Sequence, residues 1–103
     1  MIRHMVFIKY GPSVPQETKD GIISDLADLV SQIEGTVDFQ NRANLSPETA
    51  VVHGFLDMFW FDFRDVAVRD SYLVDPVHQV IGGDIVALTE GGADGVFVCD
   101  IEL

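Results

Sequence analysis

The chain is 103 residues long, with 17 acidic against 6 basic side chains, a formal net charge of −11 and 48% hydrophobic residues. The length suits a single domain over 1–103 with one modest core, and the hydrophobicity excludes a disordered segment; the charge argues against nucleic acid and anionic membrane surfaces, both of which select Lys and Arg. A lone Cys99 rules out an internal disulfide and a cysteine-based zinc site and fits a reducing, cytoplasmic setting, and neither a secretory leader at Met1–His4 nor a membrane-spanning run of ~20 apolar residues is expected.

Ile2–Tyr10 reads as a strand, rich in β-branched and aromatic residues and stopped by Gly11-Pro12. His4, Val6, Ile8 and Tyr10 share one face, and Met5 and Phe7 the other. From about Pro15 to Ile33 the period changes to 3.6: Ile22, Ile23, Leu26, Leu29, Val30 and Ile33 form an apolar stripe, and Gly35 a stop. Thr36 to about Asn44 reads as a second strand, followed by a loop over Leu45–Ala50. His53–Phe63 is the third strand and the most aromatic segment: Phe55, Asp57, Phe59, Phe61 and Phe63 share one parity, Leu56, Met58 and Trp60 the other. A short helix over Asp65–Val74 follows, with Asp62 or Asp65 as its N-cap. Pro76 forces a turn, and Asp75-Pro76 is the cap-plus-first-turn pair that opens a new helix to about Thr89. Gly82-Gly83 should weaken that helix, with two short turns as the alternative. Glu90–Gly95 reads as a flexible connection and Val96–Glu102 as the last strand.

Strand, helix, strand, strand, broken helix, strand is the order of an α+β, ferredoxin-like fold: a four-stranded antiparallel sheet with its helices on one face. Helices on one side leave Met5, Phe7, Leu56, Met58 and Trp60 uncovered on the other, several hundred Å² of apolar surface and larger than a monomer usually exposes. A second copy, sheet against sheet, covers it, so a homodimer closing into an α+β barrel is expected.

On the helix side the same parity collects polar groups. His4 and Asp57 project from strands, Tyr72 comes from the last turn of one helix and His78 from the first turn of the next. Apolar walls with a few placed polar groups are the composition of a small-molecule site. His78 is the candidate general base and Tyr72 the candidate acid, with His4, Asp57 and Arg69 as candidate substrate-binding groups. Packing is the alternative for each. A buried Asp57 needs a partner, and both His4 and Arg69 are candidates. His4, His78 and Asp57 lack ligand-type spacing, so no metal site is expected; no phosphate loop or serine-nucleophile motif is present, and no cofactor is expected.

Met1–Lys9, Asn44-Leu45-Ser46-Pro47-Glu48, Tyr72–His78 and Val96–Asp100 together resemble the stress-responsive A/B barrel (Dabb) domains over nearly the whole chain. The resemblance implies a dimeric α+β barrel, and a function ranging from plant stress proteins to cofactor-free polyketide cyclases of the olivetolic acid cyclase type. In the cyclases it implies acid–base work at positions matching Tyr72 and His78 in an intramolecular aldol closure, with His4 matching a pocket histidine. Three positions depart from the family pattern: Asp75 stands where a histidine is frequent, Arg69 where an apolar residue is usual, and Asp57 where another histidine can occur. They give this chain a more charged pocket. A non-catalytic dimeric binding or stress-protective domain is the alternative, and a monooxygenase of the antibiotic-biosynthesis type a more distant one.

Overall fold

Alternation of side chains along the first strand sets the sidedness of the molecule. In a computed structural model describing residues 1–103, β1 (Ile2–Ile8) buries Ile2, His4, Val6 and Ile8 on one side and turns Arg3, Met5 and Phe7 to the other. β2 (Thr36–Ala43), β3 (Asp57–Phe63) and β4 (Val96–Glu102) complete one antiparallel sheet in the order β2-β3-β1-β4. β1 lies between β3 and β4, with His4 opposite Phe61 on one side and Asp100 on the other. This is the expected ferredoxin-like arrangement.

The stripe read from the sequence is the buried stripe of α1 (Gln16–Gln32): Ile22, Leu26 and Leu29 pack on the sheet, with Ile33 just beyond. α3 (Val66–Val74) adds Val68 and Tyr72, and α4 (Pro76–Leu88) adds Ile81 and Ile85. Against them stand Val6 and Ile8 from β1 and Phe59, Phe61 and Phe63 from β3. Of the two candidate caps for α3, Asp65 accepts from the Val68 N–H at 3.0 Å, whereas Asp62 turns to the opposite face of the sheet and takes a two-point ion pair from Arg3 at 2.8 and 3.0 Å.

Two expectations are corrected. The third strand begins at Asp57, not His53, because Thr49–Val52 coil into one helical turn, α2, and the chain reverses through left-handed His53 and Gly54. Gly54 takes φ 78°, a conformation that side chains rarely adopt, so the reversal favours glycine there. The second helical piece, in turn, is continuous across Gly82-Gly83. Ile81 and Ile85, both buried, anchor it on either side of the glycines, and tertiary packing outweighs the propensity cost of about 1 kcal/mol per glycine.

The corner between α3 and α4 forms as its sequence demands. Asp75 is extended at φ −64° and ψ 127°, and its Oδ1 accepts from the N–H groups of Val77 and His78 at 2.9 and 3.1 Å. Pro76 occupies the first helical position, where no N–H is required. Asp75→Ala should therefore cost about 1 kcal/mol, the usual worth of a cap. In urea unfolding its midpoint should fall with an unchanged m-value; an unchanged midpoint would show that the cap carries no stability.

Candidate active site at the α3–α4 corner

The last turn of α3 and the first turn of α4 meet at Asp75, so residues three before and three after it face each other. The Tyr72 and His78 rings lie 3.9 Å apart at their centroids, tilted by 32°. Across from them His4 projects from β1, its ring 5.4 Å from that of Tyr72 in an edge-on arrangement. These three are the polar lining of a cavity of about 330 Å³ between sheet and helices, whose walls are otherwise apolar side chains such as Val6, Leu26, Phe59, Ile85 and Val98. That volume is in the range of small-ligand pockets.

Electrostatics differ at each member. Burial pushes the Tyr72 phenol well above its usual range, with the Asp100 charge adding to the effect, so the hydroxyl stays protonated and is a donor. Its oxygen has no protein partner and is not sealed off, which leaves it available to a ligand. Burial lowers the pKa of His78; the Leu73 carbonyl works in the other direction and His4 reinforces the lowering. His78 is therefore held neutral, a state able to accept a proton. Its Nδ1 is enclosed and unbonded, whereas Nε2 lies on the side of Gly82, which also lines the cavity.

Asp57 and Arg69 do not join this group. Asp57 has the helix-facing parity expected of it but pairs with Ile8, whereas His4 lies opposite Phe61, four residues further along β3 and about 13 Å away at ~3.3 Å per residue. Its neighbour is Lys19, at 3.9 Å, in a tight polar pocket beside Tyr10. There burial, aided by the Asp57 charge, pushes the Tyr10 phenol up to about 12. That separation rules out the His4–Asp57 pairing and with it the His4/His78/Asp57 metal set, and Arg69 is engaged by Asp100 and Asp70 instead of Asp57. Arg69 is not in the cavity wall. It donates to Asp100 at 2.6 Å and to Asp70 at 2.9 Å. His53 is exposed.

Asp100 is the residue that sequence reasoning missed. Its Oδ1 lies 2.6 Å from Nδ1 of His4. Burial acts to raise its pKa, but hydrogen bonds from Arg69 and His4 outweigh that and hold the carboxyl below the usual range. Its parity with Val96 and Val98 was legible; the register that sets it opposite His4 was not.

This arrangement can be set beside known proteins. The model of the stress responsive A/B barrel domain matches residues 2–103. The chain belongs to the Dabb family. Among solved structures, this Dabb chain is similar to a dimeric ferredoxin-like protein of unknown function from Jannaschia sp. CCS1, at 28% identity and a TM-score of 0.89 over 99% of this chain and 98% of that one. An Arabidopsis thaliana protein shares 22% identity with a TM-score of 0.84 over 100% and 95% of the two chains. The hydroxynitrile lyase of Passiflora edulis shares 20% with a TM-score of 0.82 over 99% and 92%. The last two likenesses show the fold alone. No curated protein sequence matches the chain. No helix is long and apolar enough to cross a membrane.

The lowered pKa of His78 makes a pH prediction with a definite sign. Below about 6.5, the ordinary value for an unfolded chain, the unfolded state takes up the proton before the folded one. The stabilisation is therefore full above about pH 6.5 and is lost as pH falls toward the folded pKa. The difference in unfolding free energy between wild type and His78→Gln should shrink between pH 7 and 5, and the His78 imidazole should titrate below 6.5 by NMR. A midpoint above 6.5 would contradict the burial.

Proposed function

We propose that this Dabb domain is a homodimer, paired through its outer sheet faces, that binds a small, mostly apolar carbonyl compound and performs cofactor-free acid–base chemistry on it. The observation that carries this reading is the open cavity of about 330 Å³ touched by both His78 and Tyr72. A corner built only for packing would be filled. In the reaction, Nε2 of neutral His78 takes a proton from the carbon next to the carbonyl. The Tyr72 hydroxyl donates a hydrogen bond to the carbonyl oxygen as charge develops there. Depressed basicity at His78 and a firmly protonated Tyr72 are the complementary states such a pair requires. That an enzyme, the Passiflora edulis lyase, occurs on the same fold supports the reading without specifying a reaction.

The dimer is supported by the uncovered face. Phe97 is 55% exposed and packs on Phe7, with ring centroids 5.7 Å apart. Met5, Met58 and Trp60 are only partly covered. Relatives such as the Jannaschia protein are described as dimeric. The face is not uniformly apolar: Arg3 and Arg42 lie over the Trp60 ring at 5.3 and 5.9 Å, making a charged margin beside the apolar centre. A reducing cytoplasm is the setting that suits Cys99, which lies in that face.

The chemistry can be tested without knowing the natural substrate. In D2O, the wild type should catalyse exchange of the methyl protons of acetophenone for deuterium, followed by NMR. His78→Ala should slow the exchange by about 10²–10⁴-fold, the usual share of a positioned base, and Tyr72→Phe should slow it while leaving binding largely intact. Stabilisation of the fold by acetophenone with no exchange would instead establish a non-catalytic binding domain.

A further inference from the structure

Arg69, Asp100 and His4 form a continuous chain of charge-assisted contacts from the surface to the cavity. Arg69 Nη1 donates to Asp100 Oδ2 at 2.6 Å, and Asp100 Oδ1 meets His4 Nδ1 at 2.6 Å. His4 is 4% exposed and lines the cavity. Its second nitrogen, Nε2, has no protein partner and is not among the enclosed, unbonded polar atoms, so it opens on the cavity. Asp100 lies on the edge strand and its side chain is 26% exposed, so without a second anchor the carboxylate would be free to swing to water. Arg69 supplies that anchor from α3, itself held by Asp70.

We propose that Arg69 and Asp100 are positioning residues that fix His4 with its proton on Nδ1 and present Nε2 to the cavity as a second proton acceptor, across from His78. A carboxylate has only acceptor atoms, so a neutral imidazole facing it at 2.6 Å must donate from Nδ1. Nε2 is then left as an unprotonated acceptor. The same contacts occupy the Arg69 guanidinium, so no cationic side chain faces the cavity, and a neutral polar end on the ligand is favoured over a carboxylate. The tautomer of the neutral ring follows from the contacts alone, while its use in catalysis rests on the acid–base reading above.

The test separates the two. In wild-type protein at pH 8.5, imidazole 15N NMR should show His4 as the Nδ1–H tautomer, with a downfield Nδ1 proton. Asp100→Asn should lose that proton and mix the tautomers. Arg69→Met should raise the Asp100 carboxyl titration toward the ordinary range and weaken the Nδ1 signal, and Arg69→Lys, which keeps the charge, should restore part of both. An Nε2–H tautomer in the wild type would overturn the proposal, as would a tautomer unchanged in Asp100→Asn or an Asp100 titration unchanged in Arg69→Met. None of these readings needs a substrate, so they stand even if acetophenone is not exchanged. If it is exchanged, Arg69→Met should shift the pH–rate profile while leaving KM within about twofold.

Discussion

A four-stranded sheet whose three long helices, α1, α3 and α4, pack on one side leaves most of the other side uncovered. That constraint organises this molecule. Residues of even number in β1 turn inward and meet the helices; residues of odd number turn outward. Inward, the sheet supplies Val6, Ile8 and the three phenylalanines of β3 to the core, and at the end where α3 and α4 meet it supplies one imidazole as well. Outward, it leaves aromatic and sulfur-containing side chains to be met by another surface. Phe97 shows this most clearly, still 55% exposed although its ring packs on Phe7.

The site follows from a second constraint, the rigid corner. Pro76 cannot continue α3, Asp75 satisfies the first N–H groups of α4, and the two helices are thereby fixed with Tyr72 and His78 ring against ring. Burial is the largest cause of both shifts, with Asp100 adding to that of Tyr72 and His4 to that of His78, and it keeps the phenol protonated and the imidazole neutral. The charged contacts belong to His4, through Asp100 and Arg69. Two histidines in one cavity are thus held by different means, one by desolvation and one by a carboxylate.

Much of this was legible in the chain. Period-2 and period-3.6 patterns gave four strands and the major helices, and the Asp75-Pro76 pair gave the corner with its cap. Parity gave the inward placement of His4. The failures share a cause. Asp57 has the right face but the wrong end of its strand, and His4 and Arg69, its two candidate partners, both meet Asp100 instead. Parity says which side a residue faces; only register says who stands opposite, and register depends on loops such as the one that coils into α2 and delays β3 to Asp57. The continuity of α4 was hidden for a different reason, since the burial of Ile81 and Ile85 offsets a local glycine cost that the sequence shows and the packing does not.

The claim on which all of this rests is that the outer face is completed by a second copy. Sedimentation velocity on wild-type protein and on Phe97→Asp, at micromolar concentration, tests it most directly. The account requires a particle of twice the chain mass for the wild type and a folded species of single mass for the variant, since a carboxylate in the apolar centre of the joint face would be buried unpaired. A wild-type protein that sediments as a stable single chain across that range would contradict it.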